Sequence, residues 1–389
     1  MRVAVFHALF SELGGGEVFA VNLGRALSEL GFDVDFYTFE LDPNFRSVLG
    51  GIPGRLRILK KPLYVEFLEG LSGGRFVRLR RLLLYRYLAE ILDEISCSYD
   101  LTIETQSNIP YSTDISYIHF PALIDYVLWS SRGSMKTFIL RQAYNSLLNH
   151  LLKQLCRLGR PKLILTNSSW TAKWVLRAYG GNSPIKVLHP PVDVEYFLEV
   201  ANEDMRENLI ITISRFTPEK NLGEILKIAR SLKDYNFLLV GSVSKYSKPV
   251  IENLRNYIES EGLENVTLKF NVPRDELREI LSKAKYYLHP PFPEHFGIAV
   301  VEAMAAGCIP IVYRDGGVWY DIVSRVSDVL GYRDINEVPN IIKNLDSNKD
   351  LYITLRGRSI EISKEFNYEN FKNNLSKWVD YILKIKRSI

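Results

Sequence analysis

Residues 286–312 read YYLHPPFPEHFGIAVVEAMAAGCIPIV. The apolar runs at 286–289 and 309–312 have the length of buried strands. Between them, after a loop holding three prolines and Gly297, lies an apolar segment of helical length. Strand, loop, helix and strand in that order form a βαβ unit, the crossover that parallel strands require. The plan repeats outward. Strands are expected at 209–213, 237–240 and 266–270, and in the first half at 3–7, 33–39, 99–103, 115–119 and 163–166, with helical segments between. Residues 11–16 read as a glycine-rich turn that opens a helix over 17–30, capped by Gly31. At the end of the chain Phe371, Leu375, Trp378, Val379 and Ile382 recur at helical spacing and predict a docked helix. The class is α/β, with two doubly wound halves. The polar stretch 199–208 sets the expected boundary: a first domain over 1–205, completed by the terminal helix 368–389, and a second over 206–367.

Composition narrows the function. With 389 residues, 47% hydrophobic and 24% charged, the chain can bury two cores and is not a disordered tail. Lys+Arg 49 against Asp+Glu 45 gives +4, too mild to argue for nucleic acid. Cys97, Cys156 and Cys308 lie far apart without ligand spacing, which argues against a disulfide framework or a zinc site. The first ten residues lack the form of a secretory signal, and no apolar stretch reaches the roughly 18 residues of a membrane span. The expectation is a cytoplasmic protein, soluble or peripheral on the inner face of the membrane.

Doubly wound sheets bind ligands at the carboxyl ends of their strands, so the residues there carry the chemistry. After the first strand stand Gly14, Gly15 and Gly16, whose backbone N–H groups can approach an anion ahead of a helix; the alternative is a tight turn alone. After the first strand of the second half comes SRFTPEKN (214–221). Arg215 and Lys220 flank a proline-turned loop that opens a helix from Asn221, a setting for a diphosphate; the alternative is a surface pair bridging Glu219. Glu294 follows a buried strand, and Glu302 lies eight residues on inside an apolar helix. A carboxylate there needs hydrogen-bond donors, which sugar hydroxyls supply, unless it only caps or bridges a neighbour. Gly297 lets a ligand approach the open N–H groups of that helix. His119, beside Phe120 and Pro121, is either a strand-end functional group or a satisfied core histidine. His7 has no matching motif. Asp33-Val34-Asp35 falls in a strand, so no metal site is expected.

EHFGIAVVE followed by AMAAGCIPIV resembles the donor-site signature of retaining glycosyltransferases of the GT-B fold, family 4. SRFTPEKN resembles the diphosphate loop of that family, and GGGE, YIHFP and HPPVDVEYF match as well. The combination is most similar to α-1,2-mannosyltransferases that extend a lipid-linked oligosaccharide from GDP-mannose. The resemblance implies two Rossmann-like domains facing across a cleft and transfer of a hexose from a GDP- or UDP-linked sugar to an acceptor hydroxyl without a metal cofactor. It implies that Arg215 and Lys220 hold the diphosphate and that Glu302 holds the ribose. Glu294, helped by backbone at Phe296, Gly297 and Ile298, would hold the sugar. His119 would face that sugar, and Gly15 would lie against the diphosphate. Asn221 stands where the family often has glycine.

Two basic stretches bear on the acceptor. Residues 126–192 hold ten cations and no acid, and residues 46–86 hold ten cations against Glu66 and Glu69. Leu82, Leu83, Leu84, Tyr85, Tyr87 and Leu88 interleave with the second cluster as on a basic helix at an anionic membrane. The alternative is a solvated basic face with an ordinary core side. Two other functions remain open on these residues: an epimerase or phosphorylase using the same fold, and a non-enzymatic protein binding through its basic surface.

Overall fold

The computed structural model describes residues 1–10, 14–52, 54–72, 76–125, 138–201, 206–243 and 247–388. It divides into two compact units, unit 1 comprising Met1–His189 with Phe371–Ile389 and unit 2 comprising Pro190–Asn370.

Among the described residues, unit 1 has a seven-stranded parallel sheet built from β1 (Arg2–Phe6), β2 (Asp33–Thr38), β3 (Leu56–Ile58), β4 (Leu101–Glu104), β5 (Ile115–Ile118), β6 (Leu163–Thr166) and β7 (Ile185–Val187). Their spatial order is β3-β2-β1-β4-β5-β6-β7. Unit 2 has six strands, β8 (Glu207–Ile213), β9 (Asn236–Gly241), β10 (Val266–Phe270), β11 (Ala284–Leu288), β12 (Ile309–Tyr313) and β13 (Gly331–Tyr332), in the order β10-β9-β8-β11-β12-β13. Each order reverses once, between β1 and β4 in unit 1 and between β8 and β11 in unit 2. At such a point neighbouring loops diverge and open a crevice beyond the strand ends. The central strands β1, β4, β5, β6, β11 and β12 are almost wholly buried, as expected of a parallel sheet covered on both faces, and their sequences accordingly run apolar without alternation. The short edge strands β3, β7 and β13 escape sequence reading.

The units part after His189 rather than at 205/206. Val192, Val194 and Phe197 are buried in the core of unit 2, and the Val192 N–H donates to Phe366 O, so the segment before the polar stretch already belongs to the second core. The terminal helix α8 (Tyr368–Arg387) packs on unit 1 as its periodicity predicts. It buries Phe371, Leu375, Val379 and Ile382, stacks Phe371 edge-on against Phe19, and pairs Lys372 with Glu29 and Lys386 with Asp114. Asp35 is structural: it accepts from Arg55 N and from the side chains of Arg2 and Tyr99.

The basic helix is placed differently from the membrane expectation. α3 (Val77–Ser96) turns Leu82, Leu84, Tyr85 and Leu88 into the core of unit 1, so its apolar face is a packing face. Exposed apolar side chains lie instead on α2 (Leu63–Ser72), where Leu63 is 82% and Phe67 66% exposed. Of the cations counted in sequence, Arg75, Arg132 and Lys136 and the side chain of Arg141 lie outside the described residues. No helix among the described residues is long and apolar enough to cross a membrane.

Candidate functional site

In unit 2 the loops after β8 and β11, on the two sides of the switch point, carry the predicted residues. The first is tighter than expected. A 3-10 turn covers Pro218–Lys220, and the helix α5 (Gly223–Ala229) begins two residues later than Asn221. Asn221 sits at φ 49°, a left-handed conformation that asparagine tolerates and glycine favours, which accounts for the residue found at this turn. Phe216, fully buried against Phe270, anchors the loop. Asn221 Nδ2 also donates to Pro291 O and ties the loop to the second one.

Lys220 does not bridge Glu219, which accepts from Thr217 Oγ1. The Lys220 ammonium is buried, lies 4.6 Å from the centre of the Phe292 ring, and donates to Glu294 Oε2 at 2.5 Å. His289 Nε2 lies 3.6 Å from the same oxygen. Burial alone would push the Glu294 carboxyl up; the Lys220 ammonium and His289 hold it well below the usual carboxylate range. Glu294 is therefore an anion and not an acid at neutral pH. His295, whose N–H meets Glu294 Oε1, is pushed down to about 4 by burial and by the charges of Lys220 and Arg215, so it is neutral. Arg215 is exposed at the mouth of the loop.

Gly316 fixes Glu294 and was missed in the sequence. It has φ 94°, and a Cβ there would stand 2.4 Å from Glu294 O, so only glycine allows the backbone bridge between the two residues. A glycine pair before an apolar segment, Asp315-Gly316-Gly317, was the available signal. Gly297 caps α7 (Ile298–Ala305) at φ 95°, with Val318 crowding the place a side chain would take. Phe296 is buried against Phe366 and Ile298 is half-buried, so what this turn presents outward is mainly backbone.

Glu302 is buried on α7, and it bridges a neighbour: Oε1 accepts from Arg274 Nη1 at 3.1 Å. Arg274 opens α6 (Arg274–Lys283), reaches Asp193 as well, and lies against the rings of Tyr196 and Phe197. Burial raises the Glu302 carboxyl, with Arg274 opposing. Arg274 had no signal in the sequence, since a cation at a helix start reads as surface.

In unit 1, His119 follows β5. Its backbone N–H donates to Asn108 Oδ1, and its Nε2 lies 3.0 Å from Thr105 O, which can only accept, so Nε2 carries the proton. A Cβ on Gly16 would stand 3.7 Å from that nitrogen, which places His119 beside the glycine turn. Gly15 begins α1 (Gly15–Glu29), with Gly14 as its N-cap. Beside this turn lies a carboxylate: Glu17 Oε2 would be 2.8 Å from a Cβ on Gly14. The cationic side chains expected around a diphosphate are in unit 2, and the glycine turn carries a negative neighbour.

Comparison with known proteins gives the family and the fold. One family model, Glycosyl transferases group 1, matches residues 194–334, and a second, Glycosyltransferase Family 4, matches residues 13–196. The chain is similar to the GDP-Man:Man(3)GlcNAc(2)-PP-Dol alpha-1,2-mannosyltransferase of Homo sapiens, 26% identical over 92% of this chain and 83% of that protein. It is also 26% identical to the protein of that name from Dictyostelium discoideum, over 73% of this chain and 62% of that protein, so the match spans less than two thirds of the Dictyostelium chain. Among solved structures, sucrose-phosphate synthase from Thermosynechococcus elongatus superposes with a TM-score of 0.72 at 15% identity, covering 99% of each chain. HepE of Anabaena in complex with UDP and glucose gives 0.65 at 17% identity, covering 98% of this chain and 99% of that one. At those identities the likeness is one of fold.

Proposed function

The chain belongs to the family 4 glycosyltransferases of GT-B fold, and from that premise we propose that it moves mannose from GDP-mannose to a hydroxyl of a lipid-linked oligosaccharide, with retention of configuration and without a metal. One observation carries the reading of the donor site: the loops after β8 and β11 meet at the switch point with Lys220 and Glu294 in contact. The donor and acceptor are those named for the mannosyltransferases to which the chain is 26% identical.

The chemistry follows from charge. Departure of a nucleoside diphosphate places negative charge on phosphate, which Arg215 and Lys220 stabilise as fixed cations. As Lys220 turns to the diphosphate, it releases Glu294 Oε2 to sugar hydroxyls. Glu294, held ionised, faces the sugar as an anion and favours the oxocarbenium character that grows as the bond breaks. Glu302 takes ribose hydroxyls while Arg274 holds its other side. Backbone at Phe296, Gly297 and Ile298 fixes the sugar's orientation. The acceptor hydroxyl attacks the face the diphosphate leaves, and a phosphate oxygen receives its proton. The exposed apolar side chains of α2, with Lys60 and Arg81 nearby in sequence and exposed, seat unit 1 on an anionic bilayer that presents the acceptor.

Thermal shift with GDP-, UDP- and ADP-sugars tests the donor. A ligand at 100 times its dissociation constant stabilises by about 2.7 kcal/mol. GDP-mannose is expected to raise the midpoint most, also in EDTA. No shift with GDP-mannose alongside a clear shift with another sugar nucleotide would overturn the assignment of the donor.

A further inference from the structure

The carboxyl ends of β1 and β4, at the switch point of unit 1, hold two side chains that the donor chemistry does not use. His7 is fully buried, and Glu17 opens the first turn of α1. Thr105 lies between the strands. Its hydroxyl lies 3.1 Å from Phe6 O and 3.0 Å from His7 Nδ1 and holds that ring nitrogen in place. The other ring nitrogen, Nε2, is left with no hydrogen-bond partner among the described residues. It points at Glu17 Oε1 from 3.9 Å, beyond hydrogen-bond reach. Burial lowers the imidazole, with Glu17 opposing, and the buried nitrogen faces a carboxylate oxygen. Gln106 Nε2 reaches the same oxygen at 3.4 Å, and Glu17 Oε2 lies over Gly14, where a side chain would collide with it.

A buried, unpartnered ring nitrogen and a carboxylate with only a long donor contact face each other at a turn stripped of side chains by Gly14, Gly15 and Gly16. Such a place suits a neutral ligand rich in O–H donors. A phosphate is disfavoured beside Glu17, because two anions at one turn repel.

We propose that Glu17 is a hydroxyl-binding residue for the acceptor sugar and that His7 is a positioning residue that holds the Glu17 carboxylate toward the glycine turn. The inference rests on the glycosyl-transfer reading for the identity of the hydroxyl-bearing ligand. It assigns the Gly14 side of the turn to acceptor recognition rather than to the donor diphosphate. No bond is made or broken by either residue: Glu17 accepts a hydrogen bond, and His7 Nε2 keeps Oε1 from turning inward.

The test is steady-state kinetics of the full chain with acceptor and donor varied separately. Glu17→Gln keeps the shape and removes the charge; it is expected to raise the acceptor KM about tenfold or more, with the donor KM and the melting midpoint unchanged. His7→Asn, which can keep the Thr105 contact but lacks the second nitrogen, is expected to show part of the same defect and to add nothing to Glu17→Gln. His7→Gln, which restores a polar atom near the Nε2 position, is expected to recover part of it. A Glu17→Gln protein with a lowered midpoint and an unchanged acceptor KM would make Glu17 a helix cap and overturn the proposal. A wild type that transfers to no mannosylated acceptor would overturn the function reading instead. Titration calorimetry with a soluble mannose oligosaccharide then decides: about tenfold weaker binding by Glu17→Gln supports the proposal, and equal binding, or none by the wild type, overturns it.

Discussion

Lys220 Nζ and Glu294 Oε2 stand 2.5 Å apart, joining two loops that lie 74 residues apart in sequence. The pair explains why a lysine can be buried in a loop and why a carboxylate beside a buried strand stays charged. Each is the other's counterion, and in the proposed reaction a diphosphate and a sugar take their places.

Lys220→Ala should therefore cost stability as well as activity. Removing one member of a buried pair leaves the other uncompensated, at about 2–3 kcal/mol. Thermal unfolding should show Lys220→Ala less stable than the double variant with Glu294→Ala. In kinetics, Lys220→Ala and Arg215→Ala should lower kcat more than they raise the donor KM, because leaving-group charge grows toward the transition state. A pure binding defect would contradict this.

Glu302→Ala should weaken GDP-mannose binding by about 1.5–3 kcal/mol, the range for hydrogen bonds to charged groups. Arg274→Ala should weaken it too, since without its guanidinium the buried Glu302 carboxyl takes up a proton more readily. Calorimetry with both variants checks this, and unchanged affinity in folded Glu302→Ala would remove that residue from the site.

Glu104 gives a stability effect with a definite sign. The carboxyl is fully buried, and burial pushes it up to about 7 although Gln106 N, Ser107 N and Ser107 Oγ all donate to it. The folded state thus binds a proton that the unfolded chain, with an ordinary value of 4.5, has lost. Stability is fully present below about pH 4.5, falls as pH rises to about 7, and is constant above, for a total of about 3 kcal/mol. Glu104→Gln should flatten this part of the profile in denaturant titrations across that range. The loop concerned carries Thr105 O, the partner of His119 Nε2, so the wild-type loss should also loosen the histidine. An unchanged slope in the variant would contradict the assignment.

Much of this architecture was legible because parallel sheets buried on both faces write themselves as apolar runs. The strands at 3–7, 115–119 and 163–166 lie within a residue of β1, β5 and β6. The loop residues Arg215, Lys220 and Glu294 were legible because charges gathered after buried strands stand out, and Glu302 because a carboxylate inside an apolar helix does. What the sequence withheld were partners. Arg274 reaches Glu302 from 28 residues away, and Gly316 fixes Glu294 from another loop. The two-sided nature of α3 was hidden as well, since its leucines could face lipid or core with the same spacing; packing against Tyr111, Leu148, Leu152 and the rest of that core decides for the core.

The proposed seating on an anionic bilayer accordingly rests on α2. Vesicles with anionic lipid should retain the protein and neutral ones should not, with each surface-near cation contributing about 1 kcal/mol and high salt releasing it. Replacing Leu63 and Phe67 with serine should abolish retention while leaving the melting midpoint in place, because both side chains are exposed. Retention by neutral vesicles equal to that by anionic ones would contradict the electrostatic part of the proposal.

Mannosyl transfer is tested by incubating the protein with GDP-mannose labelled in the sugar and a mannose-terminated oligosaccharide on an isoprenoid diphosphate, and by reading the product's linkage and anomeric configuration by NMR. One added mannose in α linkage is expected, with GDP released in equal amount and no loss of product in EDTA. A β-linked product would contradict retention. No transfer from GDP-mannose, with transfer from a different sugar nucleotide or to a soluble acceptor only, would contradict the assigned donor and acceptor.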